Sequence, residues 1–293
     1  VAKRSTKTNK PNATVDDMSG MFEGKKGLVL GVANENSIAW AIAKEIIEGG
    51  GTIGFSHLPD KPGDERKKNR LRVSKLTDKH PDSVAFLEPL DVQQDDQIKT
   101  FMSTASDQLG KIDFLLHSIA FADREDLKRD TVETSRSGFS LAMDVSVYSL
   151  IAVTNAAKHL FNEGGSVAAM TYFGGEKCVP GYNVMGICKA ALEATVRYLA
   201  YDMGSQAVRV NALSAGPMRT LAGRAAGVDE MLDLYEHMAP LCRNVTHEEV
   251  GRSGAYLLSN YSGGVTGEVL HIDGGYNAMG SPGRLLDRMK AAK

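Results

Sequence analysis

Short apolar runs alternate with longer amphipathic stretches along most of this 293-residue chain, and that alternation restricts the fold more than any other feature. Lys26–Gly31, Thr52–Ser56, Val84–Leu87, Phe114–Ile119, Ser166–Met170, Val208–Ala212 and Glu268–Ile272 read as seven strands. Between them Ser37–Glu48, Glu65–Lys79, Asp95–Leu109, Gly138–Leu160, Tyr182–Met203 and Glu249–Leu258 read as helices. Strands that are apolar on successive residues are covered on both faces, and covered strands separated by helices build a parallel sheet. The expected fold is therefore α/β: one doubly wound, seven-stranded parallel sheet of Rossmann type with helices on both faces. No linker or repeat interrupts the pattern, so residues 22–280 are expected to form one domain, although length alone would admit two. Residues 216–237, irregular to about Val228 and then weakly helical, are expected to be a substrate lid, because long loops in such domains are commonly functional.

The flanking segments and the totals exclude several classes. Residues 1–21 are polar and lysine-rich without the apolar stretch of a secretory signal, so they read as a disordered extension, and 281–293 as a tail. With 42% hydrophobic and 24% charged residues the composition is that of a globular protein, and a net charge of −2 implies no polyanion partner such as nucleic acid. No apolar run reaches the roughly 18 residues of a membrane span. Three cysteines, Cys178, Cys188 and Cys242, make a poor disulfide framework and point to a reducing cytoplasm. They carry no zinc-ligand spacing, so no metal is expected, and Cys178 and Cys188 are expected to be packing residues.

In an open parallel sheet the ligand lies beyond the carboxyl ends of the strands. After the first strand, Gly31 permits a tight turn into a helix whose free N–H groups suit a pyrophosphate. Ser37 stands at the N-cap position, where its hydroxyl would cap the helix or reach a phosphate. The segment is not a G-x-G-x-x-G fingerprint, since Ala33 and Ser37 stand where glycines would be expected. Leu58 closes the second strand, where a ribose-discriminating residue normally sits. No arginine is adjacent to hold a 2′-phosphate, although Lys61 is close, so NADH is favoured over NADPH. Asp91 and Val92 could bracket an adenine by a carboxylate bond and an apolar wall. Ser118-Ile119-Ala120 is small and apolar, fitting backbone contact with the cofactor.

Tyr182 and Lys189 are seven residues apart on an expected helix, which returns their side chains to within roughly 20° of one face. A nearby ammonium favours the phenolate and strengthens the phenol as a donor; the lysine could equally bind ribose hydroxyls. The segments around them resemble the short-chain dehydrogenase/reductase superfamily, whose usual signature is Tyr-x3-Lys with a serine upstream. Here Met185 stands four residues before Lys189, and Tyr172 stands at the serine's place. Tyr182-x6-Lys189 instead resembles the divergent enoyl-[acyl-carrier-protein] reductases of bacterial fatty acid synthesis. The likeness runs from about Gly24 to Gly275. It includes His117-Ser-Ile119, Tyr182-Asn-Val-Met-Gly186, Arg209-Val-Asn211, Ser214-Ala-Gly-Pro217 and His271-Ile-Asp-Gly-Gly275.

The resemblance implies a reaction and its parts. NADH would reduce the trans-2 double bond of an enoyl thioester on acyl carrier protein, the last reductive step of chain elongation, in a cytoplasmic homotetramer. Gly31, Ser37 and Ile38 would hold the pyrophosphate and nearby ribose, Asp91 and Val92 the adenine, and Ile119 the nicotinamide side. Lys189 would bind the nicotinamide ribose, and Met218 through Ala222, with Thr220 between them, would embrace the nicotinamide and pyrophosphate. Ala122 would touch the substrate. Tyr182 would bond the thioester oxygen, with Tyr172 a pocket or secondary hydrogen-bonding residue. Met218, Leu221, Met231 and Leu234 would suit an acyl chain. Leu58 departs from the family's frequent glutamine and cannot hydrogen-bond a ribose. Two rivals are weaker. A carbonyl reductase or alcohol dehydrogenase of the superfamily needs Tyr-x3-Lys and a serine in register, and a non-catalytic dinucleotide-binding regulator would be expected to lose Tyr182 or Lys189.

Overall fold

In the computed structural model, which describes residues 19–221, 228–286 and 290, the seven apolar runs become β1 (Lys26–Leu30), β2 (Thr52–His57), β3 (Val84–Pro89), β4 (Ile112–His117), β5 (Phe161–Thr171), β6 (Arg209–Ala215) and β7 (Val269–Ile272). All pairings are parallel, in the order β3-β2-β1-β4-β5-β6-β7. The helices are α1 (Ile38–Glu48), α2 (Lys68–Thr77), α3 (Asp95–Leu109), α4 (Arg124–Lys128), α5 (Arg136–Met143), α6 (Ser149–Ala157), α7 (Asn183–Gly204), α8 (Val228–Met238) and α9 (His247–Leu258). Successive strand residues point to opposite faces, and the core divides accordingly. Leu28, Leu30, Leu115, Val167, Ala169 and Val210 meet α3, α6 and α7 on one face. Val29, Phe55, Phe114, Leu116, Ala168 and Leu213 meet α1, α2 and α9 on the other.

Several boundaries differ from the sequence expectation for identifiable reasons. β4 ends at His117, so Ser118 and Ile119 leave the sheet, although the Ser118 N–H still donates to the Leu30 carbonyl at 3.1 Å. The single helix expected over Gly138–Leu160 is α5 and α6 joined by a π turn, Asp144–Tyr148. Ser146 explains the extra residue. Its hydroxyl accepts from the Phe121 N–H at 3.0 Å and donates to the Phe121 carbonyl at 3.1 Å, strapping the loop after β4 onto the helix. Taken across that turn, Arg136–Ala157 is long and apolar enough by composition to cross a bilayer, but half of it is buried, with Leu150, Val153 and Ala157 in the core. α9 starts two residues early because Thr246 and Glu249 form a capping box.

The expected N-terminal extension falls outside the described residues as far as 18. Its last residues are not loose, however: Met21 packs against the core beside Phe22, whose ring meets Phe114 edge-on at 5.6 Å. The C-terminal tail lies partly outside the described residues.

Candidate active site

The strand order reverses direction between β1 and β4, and the two chains leave the sheet there in opposite senses, opening a crevice above their carboxyl ends. Gly31 forms its floor with φ +95°, and a Cβ at that position would lie 2.1 Å from the Ser118 carbonyl oxygen. Only glycine fits a left-handed backbone pressed this closely against a neighbouring strand. Ser37 precedes α1, but its side chain does not cap the helix. Its Oγ accepts from the N–H groups of Ala33 and Asn34 at 3.0 and 3.1 Å, holding the β1–α1 loop. The expected cap is thus corrected: the loop's own unpaired N–H groups claim the hydroxyl first. Half-buried Ile38 opens α1 at the crevice, and its N–H and that of Ala39 precede the intrahelical ladder.

The far end of the crevice carries the residues expected around the adenosine. Leu58 stands just past β2 and is two-thirds exposed. Val92 is buried beside Leu90 and Ile98 and offers the expected apolar wall. Asp91 accepts from the Gln93 N–H at 3.0 Å, which fixes its carboxylate in a turn. A hollow of about 540 Å³ opens beside Leu58 and contains cations that the local sequence did not reveal: Lys67 and Arg70 join Lys61 there. Asp60, Asp64 and Glu65 line the same hollow, so three carboxylates offset three cations and no net positive field awaits a 2′-phosphate.

Tyr182 directly precedes α7, and Asn183, with φ +34°, turns the chain into that helix while its amide donates to the carbonyls of Leu127 and Arg129. The helical-face argument therefore begins only at Val184. Tyr182 instead meets Tyr172, their rings 4.8 Å apart and edge to face. Burial raises the Tyr182 pKa well above the ordinary phenol value, and Tyr172 and Cys188 add to the shift. Every group acting on this phenol disfavours the phenolate, so the expected activation by Lys189 is not what the geometry does. Lys189 is buried, donates to the Met170 carbonyl at 2.8 Å, and is pushed down to about 8 by loss of solvent, with Cys188 and Glu193 opposing that shift. An ammonium has three donors, which leaves two for a ligand.

The turn after β5 holds these groups together. Gly174 lies against the Tyr182 ring, where an added Cβ would stand 2.5 Å from Cδ1, and Gly175 lies against the backbone of Lys189. Glu193, buried one turn along α7, accepts from Thr171 Oγ1 at 2.6 Å, and burial raises its pKa. His271 on β7 bonds Glu176 at 2.5 Å and ties the same turn to the sheet edge. His117, by contrast, is a core residue. It bonds Ser149 at 2.8 Å, and burial lowers its pKa to about 3, so it is neutral. Ala122 is buried with Val184, Met185 and Cys188 below the tyrosines.

The segment expected to be a lid is described at 216–221 and from 228 onward. α8 is a regular helix, with Met231 and Leu234 half-buried. Met218 is buried in the core with Ala215 and Leu213 rather than facing an acyl chain, because it follows β6 before the chain turns outward. Thr220 is half-buried, Leu221 is more than half exposed, and Ala222 lies outside the described residues. Cys188 packs as expected, whereas Cys178 is exposed, because it lies in the loop that leads into α7 and not on the packed helix itself. Sequence reading missed Tyr235 and Tyr276, which stack at 3.7 Å, with the Tyr235 hydroxyl 3.2 Å from that of Tyr172. Its one available signal was the cluster of apolar residues on α8, which does not say which of them turns inward.

Comparisons with known proteins bear on the family and the fold. Residues 31–277 match the family described as enoyl-(acyl carrier protein) reductase. An enoyl-[acyl-carrier-protein] reductase [NADH] of a Nostoc species is 48% identical over 258 residues, covering 88% of this chain and 98% of that protein. One named for NADPH, from Staphylococcus aureus, is 45% identical over 88% of this chain and 98% of its own length. The crystal structure of the Anaplasma phagocytophilum reductase in complex with NAD superimposes with a TM-score of 0.83 at 40% identity, covering 90% of this chain and 97% of that one.

Proposed function

The chain belongs to the enoyl-[acyl-carrier-protein] reductase family and reduces the trans-2 double bond of enoyl thioesters with NADH; within that activity, we propose that Tyr182 is the donor to the thioester oxygen and Lys189 the anchor of the cofactor ribose. The observation that supports this division is that the two groups have different partners. The Lys189 ammonium bonds the Met170 carbonyl at 2.8 Å, while the Tyr182 ring packs edge to face on Tyr172.

The residues present fit the cofactor. A buried ammonium with two donors to spare calls for acceptors, and ribose hydroxyls supply them. The N–H groups of Ile38 and Ala39 open α1 ahead of its first intrahelical bond, and a pyrophosphate is favoured at such a helix start. Val92 walls the adenine end, Ser118 and Ile119 offer backbone beside the nicotinamide, and Thr220 lies at the rim. Bound NADH supplies the hydride that adds to C3 of the enoyl chain. Negative charge then gathers on the thioester oxygen, and the phenol of Tyr182 donates a hydrogen bond to it. Its raised pKa keeps that proton in place at neutral pH. Tyr172 is the secondary donor, Ala122 lines the acyl side, and a proton from solvent at C2 completes the reduction.

Replacing Tyr182 by Phe is expected to lower kcat on crotonyl thioester by about 10²–10³-fold with NADH affinity preserved. Full activity in that variant would refute the assignment. An acetoacetyl thioester, tested alongside, would be reduced only by a carbonyl reductase.

The remaining parts of the proposal concern assembly and context. The acyl chain arrives on acyl carrier protein. Tyr148 and Ile151 before and on α6, with Tyr198 and Tyr201 on α7, leave large apolar surfaces exposed, which supports self-association as a homotetramer. Light scattering at micromolar concentration reads this directly, and a monomer mass would refute it. Cys178, Cys188 and Cys242 are unpaired, which suits a cytoplasmic setting.

A further inference from the structure

We infer that Tyr235, on the lid helix α8, is a positioning residue for Tyr172: its hydroxyl donates to the Tyr172 oxygen and leaves the Tyr172 proton free to point into the substrate cleft. This rests on the reading of Tyr172 as the secondary donor to the acyl group.

The two hydroxyls are 3.2 Å apart, within hydrogen-bond reach. Which phenol donates follows from their surroundings. Tyr235 is only 3% exposed, so its O–H has no water to turn to, and a buried donor left unmade costs about 1–3 kcal/mol. The Tyr172 oxygen is the acceptor it is offered. Tyr172 is the less buried of the two and lies against Tyr182, so its own proton can turn toward the cleft. A phenol that accepts one hydrogen bond becomes a stronger donor in the next. Lid and cleft are thus joined in a chain of donors from Tyr235 through Tyr172 to the acyl oxygen.

The rest of the surroundings fix the Tyr235 ring independently of its hydroxyl. It stacks on Tyr276 with centroids 3.7 Å apart and planes 11° apart, and Tyr276 in turn meets Phe173 edge-on at 5.7 Å. Asp273 closes the turn that carries Tyr276, accepting from the N–H groups of Gly275 and Asn277 at 2.9 and 2.8 Å. The Asn244 amide donates to the Leu232 carbonyl of α8 at 2.9 Å. Tyr172, Tyr235 and Tyr276 are therefore a shelf on which the lid helix docks, and docking aims Tyr172.

The test is a double-mutant cycle in the full-length enzyme with NADH and the crotonyl thioester of acyl carrier protein. Tyr235→Phe keeps the ring stack and removes only the hydroxyl. It is expected to lower kcat by about three- to tenfold, with the KM for NADH unchanged. Tyr172→Phe is expected to lower kcat at least as much, and the double variant to be no slower than Tyr172→Phe alone. If the two effects multiply, or if Tyr235→Phe leaves kcat intact while Tyr172→Phe lowers it, the positioning role is overturned. If Tyr172→Phe leaves kcat intact, the reading of Tyr172 as a donor has failed, and the inference falls with it.

Discussion

Gly174→Ala places one methyl group against the Tyr182 ring, and its three nearest neighbours there belong to the two tyrosines. The added carbon would stand 2.5 Å from Tyr182 Cδ1, 3.1 Å from Cε1 and 3.3 Å from Tyr172 Cδ1. Carbon atoms rest at about 3.5–4.0 Å, so the Tyr182 ring must withdraw by about 1 Å. A displacement of that size at a reacting group costs about 10²-fold in rate, or about 2.7 kcal/mol of barrier. Overpacking also costs about 1–3 kcal/mol of stability, so the variant should melt lower yet fold. The assay is NADH oxidation with crotonyl thioester, with NADH binding titrated separately. Turnover should fall by about two orders of magnitude while NADH affinity is little changed, because Lys189 is held from the Met170 side. Gly204→Ala, at the far end of α7 with no atom within 4 Å of the new Cβ, is the control and should leave kcat unchanged. A folded Gly174→Ala enzyme with normal turnover would refute the claim that the place of the Tyr182 ring sets the rate.

Two further outcomes follow from the same geometry. Lys189 titrates near 8 in the free protein because burial disfavours its charge, and ribose hydroxyls favour the ammonium. NADH affinity should therefore be full below pH 8 and weaken as pH rises through it, a dependence that Lys189→Met should abolish; a flat profile in the unsubstituted enzyme would refute the ribose role. The sign for stability is opposite: the unfolded chain holds this proton up to about 10.5, so Lys189's contribution makes the free protein more stable as pH rises from 8 toward that value. Arg209 is a structural prediction. Its guanidinium donates to the carbonyls of Leu257 and Ser259 at 3.0 and 2.8 Å and to Ser262 Oγ at 2.6 Å, tying the end of α9 to β6. Arg209→Met should cost about 3 kcal/mol and lower the melting temperature by roughly 6–12 °C, with turnover at 25 °C retained by the folded fraction; an unchanged melting curve would contradict it.

Most of the sheet was legible because its information is local. β1 at Leu28–Leu30, β4 at Phe114–Leu116 and β5 at Val167–Met170 are apolar on consecutive residues, and that pattern has few other meanings in a chain with helices between. The crevice was legible for the same reason, since Gly31 and Ser118 end neighbouring strands. What sequence could not supply is what depends on contact across the fold. Ser37 looks like a cap in any alignment of a loop with a helix, and only the folded loop shows that Ala33 and Asn34 take its hydroxyl. Arg70 lies twelve residues beyond Leu58 on a helix whose rotation no local pattern fixes, so its arrival in the hollow beside Leu58 was invisible. Tyr235 is one apolar residue among several on α8 until β7 and Tyr276 are in place to receive it.

The π turn at Asp144–Tyr148 has a consequence for how this chain can change over time. Each residue advances a helix by about 100°, so the turn acts as a phase shifter between its two halves. Deleting one residue there would restore an ordinary helix and swing Leu150, Val153 and Ala157 away from the core, or else swing Ala142 away from the site. Insertions and deletions should therefore be purged from this stretch even where single substitutions are tolerated. The half that faces the chemistry and the half that faces the core are set at independent angles, and each can be altered without rotating the other.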